Sequence, residues 1–122
     1  MTHETAKPTF TPTSSGTLAE FVAIVGQKYA ISDANVAEQE PYLIEWRRLY
    51  RGKTPLILRP GSTEEVSRIL ALAHATGTAI VPQGGNTGLT GAQIPFGHEV
   101  VVSLSRMNRI RSRDARGNSM VV

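Results

Sequence analysis

Residues 82–91 read Pro-Gln-Gly-Gly-Asn-Thr-Gly-Leu-Thr-Gly and follow directly after a strand-like run at 78–81. We call residues 82–91 the glycine loop, since four of its positions are glycine. Glycine tolerates backbone conformations in which successive N–H groups turn to the same side, and a concave row of such donors binds anions. The sequence therefore predicts a diphosphate-binding loop at the end of a strand.

The glycine spacing matches neither of two common phosphate-binding motifs. Gly85, Gly88 and Gly91 are three apart, unlike the G-x-G-x-x-G pattern, and no lysine follows them as in a P-loop. The alternative is a tight connection between strands, in which glycine serves only to allow a positive φ. A ligand is favoured because the stretch is longer than a hairpin needs and follows the carboxyl end of a strand in a parallel unit.

The residues before the glycine loop predict a strand, a helix and a second strand. Leu56–Leu58 is a short apolar strand, and Thr78–Val81 is the next one. Between them, Ser62 with Glu65 three positions later forms a capping-box pattern, and Gly77 ends the helix. Its expected buried face consists of Val66, Ile69, Leu70 and Ala73. The unit 56–83 favours parallel strands with a right-handed crossover.

Weaker signals flank this unit. We expect three segments: a disordered lead-in over 1–16, an N-terminal helical segment over 17–50, and the first part of a larger domain over 51–122. The helical segment is expected to contain a helix from Thr17, capped with Glu20, and another over Tyr42–Leu49. Trp46 and Tyr50 are four apart, so we expect both to pack in the core, with a position near a cofactor as the alternative. A third strand is predicted over 99–104 and the start of a fourth over 119–122, where the chain stops; we therefore expect a longer protein.

The composition excludes several classes of protein. The chain has 122 residues, of which 40% are hydrophobic and 19% charged, as in a globular protein. No apolar run has the length of a membrane span, and the N-terminus lacks the apolar region of a signal peptide. No cysteine is present, which excludes disulfides and thiolate metal sites within the chain. We expect a cytoplasmic location, with peripheral association with a membrane left open.

The glycine loop resembles the pyrophosphate-binding loop of FAD-linked oxidases of the vanillyl-alcohol-oxidase / p-cresol-methylhydroxylase type. Three flanking stretches resemble the same family in the right order: 45–52 (EWRRLYRG), 58–66 (LRPGSTEEV) and 103–110 (SLSRMNRI). Within the family, the D-2-hydroxyacid dehydrogenases, acting on D-2-hydroxyglutarate or D-lactate, are the most similar branch. The resemblance covers residues 42–122.

The resemblance implies an α/β (α+β) fold, with N-terminal helices before the first part of a PCMH-type FAD-binding domain that has a small parallel β-α-β sheet. It implies an FAD contact set of Pro82, Gly84, Gly85, Asn86, Thr87, Gly88, Leu89 and Thr90. Some relatives attach the flavin to a histidine in this loop; Asn86-Thr87 stands there in this chain, so we expect non-covalent FAD.

The implied activity of the whole protein is oxidation of a D-2-hydroxy acid to a 2-oxo acid, with the flavin reoxidised by a separate electron acceptor. The family's catalytic and substrate-binding groups lie in later parts of such proteins. We therefore name no catalytic residue and expect this piece alone to be inactive. An FAD-linked oxidase of the same fold acting on an alcohol or a sugar is the alternative.

A different class of function is suggested by an arginine cluster. Five arginines fall within 106–116: Arg106, Arg109, Arg111, Arg113 and Arg116. Such a cluster fits a nucleic-acid-binding module, but no aromatic residues alternate with the arginines to stack on bases. We favour a solvated turn, or contacts to the rest of the protein, and expect no nucleic acid as a partner.

Overall fold

A computed structural model describes residues 13–122. Its helices are α1 (Ser15–Val25), α2 (Val36–Leu43) and α3 (Thr63–Thr76), with a short 3-10 turn over Gln27–Tyr29. Its strands are β1 (Ala30–Ser32), β2 (Leu56–Leu58), β3 (Ile80–Gln83), β4 (Val100–Ser103), β5 (Ser112–Asp114) and β6 (Ser119–Val121). This mixture of helices and strands confirms the predicted α/β (α+β) class.

The main sheet has the strand order β1-β2-β4-β3. As predicted, β2 and β3 run in the same direction, but they do not pair with each other, because β4 lies between them and is parallel to both. All four residues of β4 are buried, as expected for a strand with a neighbour on each side. The sheet is mixed rather than purely parallel: β1, which the sequence pattern did not predict, pairs antiparallel with β2.

The core lies on both faces of this sheet. Side chains alternate along a strand, so Leu56 and Leu58 of β2 point to one face and Ile57 to the other. Helices α1 and α3 cover the first face, where Phe21 and Ile69 are fully buried. The second face carries a smaller cluster. It contains Ile31, Ile57, Val81 and Val101, with Tyr42 packed against them.

Helix α3 begins and ends where the sequence predicts. The Ser62 hydroxyl accepts the backbone N–H of Glu65 at 3.2 Å, and the Glu65 carboxylate accepts the N–H of Gly61 at 3.0 Å. Gly77 ends the helix at φ 68°, a left-handed conformation that favours glycine. One part of the predicted buried face is wrong, because Leu70 is 49% exposed while Ile69 is completely buried.

The N-terminal helices differ from the prediction. Helix α1 is capped by Ser14, whose hydroxyl accepts the N–H of Thr17, so Thr17 lies inside the helix rather than at its cap. The predicted helix over 42–49 is wrong, since α2 ends at Leu43 with Pro41 inside it. A turn follows at 44–51, with Arg48 at φ 60°.

The chain ends in a hairpin separate from the main sheet. The predicted strand at 119–122 is present as β6, but it pairs antiparallel with β5 and does not extend the four-stranded sheet. All residues of both strands are exposed. The predicted lead-in at 1–16 lies largely outside the described residues, although α1 already begins at Ser15. The predicted domain boundaries stay a prediction.

Candidate functional site

The glycine loop leaves the sheet at the edge where the parallel strands end. Strands β2, β4 and β3 run in the same direction, so their carboxyl ends meet at this edge, which is where open α/β sheets bind ligands. Pro82 and Gln83 belong to β3, and Pro82 lies opposite Val102. Because β3 is an edge strand, a proline without an N–H is tolerated in it. The part that projects from the sheet therefore begins at Gly84.

The backbone N–H groups of residues 84–90 have no hydrogen-bond acceptor anywhere within residues 13–122. Most of these residues are exposed, and Asn86 is half-buried. Backbone donors are normally satisfied by the chain, by water or by a ligand. A consecutive run of unpaired donors is therefore what an anion-binding loop requires.

The direction of the first of these donors follows from the sheet. The carbonyl oxygen of Gln83 accepts the N–H of Leu104 at 2.9 Å, which turns that carbonyl toward β4. Every described peptide bond is trans, so the N–H of Gly84, in the same peptide unit, points in the opposite direction. The Gly84 donor therefore faces away from the sheet.

Two further donors are aimed by side chains that hold the preceding carbonyl. The Gly88 carbonyl accepts from Gln93 Nε2 at 3.0 Å, and the Leu89 carbonyl accepts from Arg47 Nη2 at 2.5 Å. By the same peptide geometry, the N–H groups of Leu89 and Thr90 point away from Gln93 and Arg47. The chain thus ties carbonyl oxygens inward, where they do not repel an anion, and leaves N–H groups outward.

The four glycines of the loop serve two purposes. A Cβ at Gly84 would meet nothing within 4 Å, and one at Gly85 would meet only a Thr87 methyl at 3.9 Å. By contrast, a Cβ at Gly88 would lie 2.7 Å from Gln93 Oε1, and Gly91 has φ 79° and lies against the Tyr50 ring. Packing inside the chain therefore explains Gly88 and Gly91, whereas Gly84 and Gly85 leave room outside it.

A network of side-chain amides, which the sequence pattern did not predict, attaches the loop to the end of α2. Asn86 adopts φ 57°, and its Nδ2 donates to the carbonyls of Pro41 at 3.2 Å and Ile44 at 2.7 Å. Its Oδ1 accepts from Gln93 Nε2 at 3.2 Å. Gln83, which is 2% exposed, donates to the Tyr42 carbonyl at 2.8 Å and the Gln93 carbonyl at 3.1 Å. The amide side chains at positions 83, 86 and 93 were the only feature of the sequence that could have indicated this network.

A buried carboxylate orders the turn beside the loop. Glu45 is completely buried, and it accepts the N–H groups of Leu49 at 2.5 Å and Arg47 at 3.0 Å, together with Arg47 Nε at 3.3 Å. Burial alone would raise the pKa of Glu45. The two N–H donors and the Arg47 guanidinium outweigh that effect and hold the pKa below its ordinary value, so the group is a carboxylate at neutral pH.

Four other predicted side chains are exposed: Thr87, Thr90, Trp46 and Tyr50. The hydroxyls of Thr87 and Thr90 are exposed and hydrogen-bond to no residue in the described range. The prediction that Trp46 and Tyr50 pack in the core is wrong, because they are 65% and 43% exposed; Tyr50 instead lies against Gly91. Across residues 13–122, no group of His, Cys, Asp or Glu side chains has the arrangement of a metal site, and no helix is long and apolar enough to cross a membrane.

Arg106 differs from the other arginines of the cluster, because it packs against the chain. The Arg106 guanidinium stacks 3.3 Å from the ring centroid of Tyr29 and donates to the Arg59 carbonyl at 2.7 Å. A Cβ at Gly61 would lie 2.6 Å from Arg106 Nη2, so the guanidinium would have to shift to accommodate any side chain there. The other four arginines of the cluster are exposed. Arg59, at the end of β2, has a buried Nε with no partner in the described part of the chain.

Comparisons with known proteins identify the family of this chain. A family model described as an FAD binding domain matches residues 54–122, which is more than half of the chain. The chain is 38% identical over 107 residues to a D-2-hydroxyglutarate–pyruvate transhydrogenase of Saccharomyces cerevisiae, covering 88% of this chain and 22% of that protein. It is also 38% identical over 107 residues to a mitochondrial D-2-hydroxyglutarate dehydrogenase of Arabidopsis thaliana, covering 88% and 19%.

Solved structures show the same fold. An alkyldihydroxyacetonephosphate synthase aligns with a TM-score of 0.66 at 26% identity, over 88% of this chain and 22% of that one. A p-cresol methylhydroxylase aligns with a TM-score of 0.66 at 18% identity, over 83% and 21%. At that identity the second likeness concerns the fold alone.

The fold is that of flavin-dependent oxidoreductases of the p-cresol-methylhydroxylase type. The chain belongs to the FAD-binding domain family, and FAD is the cofactor of that family. It spans about one fifth of the length of the relatives that it matches.

Proposed function

We propose that the glycine loop binds the diphosphate of a non-covalently held FAD, in a longer protein that oxidises a D-2-hydroxy acid to the 2-oxo acid. The observation that carries the proposal is the run of unpaired backbone donors over 84–90 at the carboxyl edge of the sheet. Charge-assisted hydrogen bonds from N–H groups to phosphate oxygens are among the strong ones, which suits a loop that has no charged side chain of its own.

We assign the following contacts to the residues of the loop. The outward N–H groups of Gly84, Leu89 and Thr90 donate to the phosphates, and the absence of side chains at Gly84 and Gly85 lets the backbone approach them. The N–H groups of the intervening residues and the two threonine hydroxyls complete the predicted set. When bound, FAD accepts the electrons removed from the substrate, while this chain contributes its placement.

The side chains of the loop support non-covalent binding. No histidine lies within residues 82–91, and Asn86 has its amide engaged by Pro41, Ile44 and Gln93. An amide in three hydrogen bonds is not a nucleophile for the flavin. We therefore expect denaturation to release the cofactor into solution.

The substrate class is proposed from the named relatives. The yeast and plant proteins that carry D-2-hydroxyglutarate in their names share 38% identity with this chain, whereas a glucose dehydrogenase variant with the same fold shares 14%. This difference favours a small D-2-hydroxy acid of the 2-hydroxyglutarate or lactate type over a sugar. A separate electron acceptor would reoxidise the flavin. The cytoplasmic location stays a prediction, and the plant relative is named as mitochondrial.

Expression of the full-length protein that contains these residues tests the proposal. We expect a yellow protein with a flavin absorption spectrum, from which acid or heat releases all of the FAD. Under anaerobic conditions, D-2-hydroxyglutarate or D-lactate should bleach that spectrum, and the L-enantiomers serve as the control. A folded, colourless protein that takes up no added FAD would overturn the binding proposal. Bleaching by an alcohol or a sugar alone would overturn the substrate proposal.

A further inference from the structure

Residues 41–50, which precede the region matched by the family model, hydrogen-bond to the glycine loop. The match begins at residue 54, yet the carbonyls of Pro41, Tyr42 and Ile44 accept hydrogen bonds from loop side chains. Arg47 makes the converse contact, donating from its side chain to the Leu89 carbonyl at 2.5 Å. Residues 41–50 therefore hold the glycine loop from outside the region that the family model describes.

Arg47 is itself held in place by Glu45. Two backbone N–H groups fix the Glu45 carboxylate, and the same carboxylate accepts Arg47 Nε at 3.3 Å. The guanidinium thus uses Nε toward Glu45 and Nη2 toward Leu89, which is a geometry that only the planar fork of arginine provides. Its side chain remains 32% exposed, whereas the Glu45 side chain is completely buried.

We propose that Glu45 and Arg47 form a positioning pair that sets the orientation of the peptide between Leu89 and Thr90. With the Leu89 carbonyl bound to a guanidinium, the Thr90 N–H of the same peptide points outward, and the positive charge polarises the peptide and strengthens that donor. Without Arg47, the peptide is able to rotate and present its carbonyl to an anion. This inference rests on the proposed FAD binding, and Arg47 itself is assigned no contact with the cofactor.

The chain supplies a matched control four residues away. Arg51 also pairs with a carboxylate, since its Nη2 lies 2.5 Å from Glu40 Oε1, but it makes no hydrogen bond to the glycine loop. Arg47→Leu and Arg51→Leu therefore each remove one arginine and one ion pair. Only Arg47→Leu releases the loop. Arg47→Lys keeps a positive charge beside Glu45 but is unable to reach both partners.

The experiment uses the full-length protein and two measurements. The first is the Kd for FAD, followed by quenching of flavin fluorescence. We expect a rise of about tenfold for Arg47→Leu, a smaller rise for Arg47→Lys, and a change of less than about twofold for Arg51→Leu; tenfold corresponds to about 1.4 kcal/mol. The second is the rate of thermolysin cleavage at the Gly88–Leu89 bond in the FAD-free protein, which should rise for both Arg47 variants and not for Arg51→Leu.

The outcomes separate this inference from the proposed function. Wild-type Kd and wild-type cleavage in both Arg47 variants would overturn the positioning role while leaving FAD binding intact. If the wild-type protein binds no FAD, the proposed function fails, and the cleavage rates alone decide whether Arg47 orders the loop. If Arg47→Leu does not fold, Arg47→Lys decides, because it leaves no unpaired charge at Glu45. Equal losses in the Arg47 and Arg51 variants would show a general effect on stability and overturn the inference.

Discussion

Replacing Gly84 with valine separates the loop's role as a connector from its role as a binding surface. A Cβ at this position meets no atom of the described chain within 4 Å, and the backbone φ lies outside the left-handed region. We therefore expect the Gly84→Val change to alter the free energy of unfolding of the FAD-free protein by less than about 0.5 kcal/mol.

The effect on FAD binding should be much larger. The Gly84 N–H points away from the sheet, into the space that we assign to a phosphate. A valine side chain occupies part of that space and prevents at least one hydrogen bond to a charged group, worth about 1.5–3 kcal/mol. Since 1.4 kcal/mol corresponds to a factor of ten, the Kd for FAD should rise by about 10- to 150-fold.

Flavin fluorescence titration and urea unfolding of the same full-length preparations measure both quantities. Gly16→Val is the control, because Gly16 is an exposed glycine in α1 at which a Cβ would likewise meet no atom within 4 Å. Its Kd for FAD should stay within about twofold of the wild-type value. A Gly84→Val protein that unfolds normally and binds FAD with the wild-type Kd would refute the assignment and leave the glycine loop as a connector.

Four further predictions concern the fold and the alternative function. Because the pKa of Glu45 is depressed in the folded state, its stabilising effect is present above the ordinary carboxyl pKa of about 4.3 and is lost as the pH falls through the lower, folded value. The urea midpoints of wild type and Glu45→Gln should therefore differ most near pH 7 and converge at acidic pH, below that folded value. Ile69→Ala should lower the free energy of unfolding, measured with urea, by about 2–5 kcal/mol, and Leu70→Ala by only about 0.5 kcal/mol, because Ile69 is buried and Leu70 is half-exposed. Equal losses would contradict the packing of α3. Arg106→Met should lower the thermal midpoint of unfolding, because the Arg106 guanidinium stacks on Tyr29. Gel-shift titrations of the full-length protein should show no binding of DNA or RNA at physiological salt, and a salt-dependent shift would favour the nucleic-acid alternative.

The sequence predicts best where local chemistry decides the structure. Ser62, Glu65 and Gly77 set the ends of α3 through contacts within a few residues, and the structure confirms all three. The predicted helix over 42–49 is wrong partly for a long-range reason, since the Ile44 carbonyl accepts Asn86 Nδ2 and Arg47 donates to the Leu89 carbonyl, each across 42 residues of sequence. Glu45 is completely buried and takes the N–H groups that a helix would have used, and no local pattern announces a carboxylate at the centre of a turn.

The order of the strands was also beyond local reasoning. A strand–helix–strand pattern predicts parallel strands, but it does not predict that a later strand lies between them. The continuous apolar run of β4 was a signal for a central strand, because a strand buried on both faces needs neighbours on both sides. The short strand β1, with three residues, carried no comparable signal.

The glycine loop shows how a single pattern combines two physical requirements. Gly88 and Gly91 are small because Gln93 and Tyr50 approach from inside, whereas Gly84 and Gly85 have open space around them. A sequence does not distinguish these cases, since both are written as glycine.

The same division extends beyond the glycines to the hydrogen bonds of the loop. An anion-binding loop must turn its N–H groups outward, so its carbonyl oxygens need hydrogen-bond donors from the interior. The backbone N–H groups of the loop cannot supply these donors, because they face the anion. In this chain the donors to the carbonyls are the side chains of Gln93 and Arg47. Arg47 lies outside the matched family region, and so does the Glu45 carboxylate that orients it. Gln93 lies just after the loop, whereas Arg47 and Glu45 are encoded apart from it, and a search for the binding motif alone does not find those two residues.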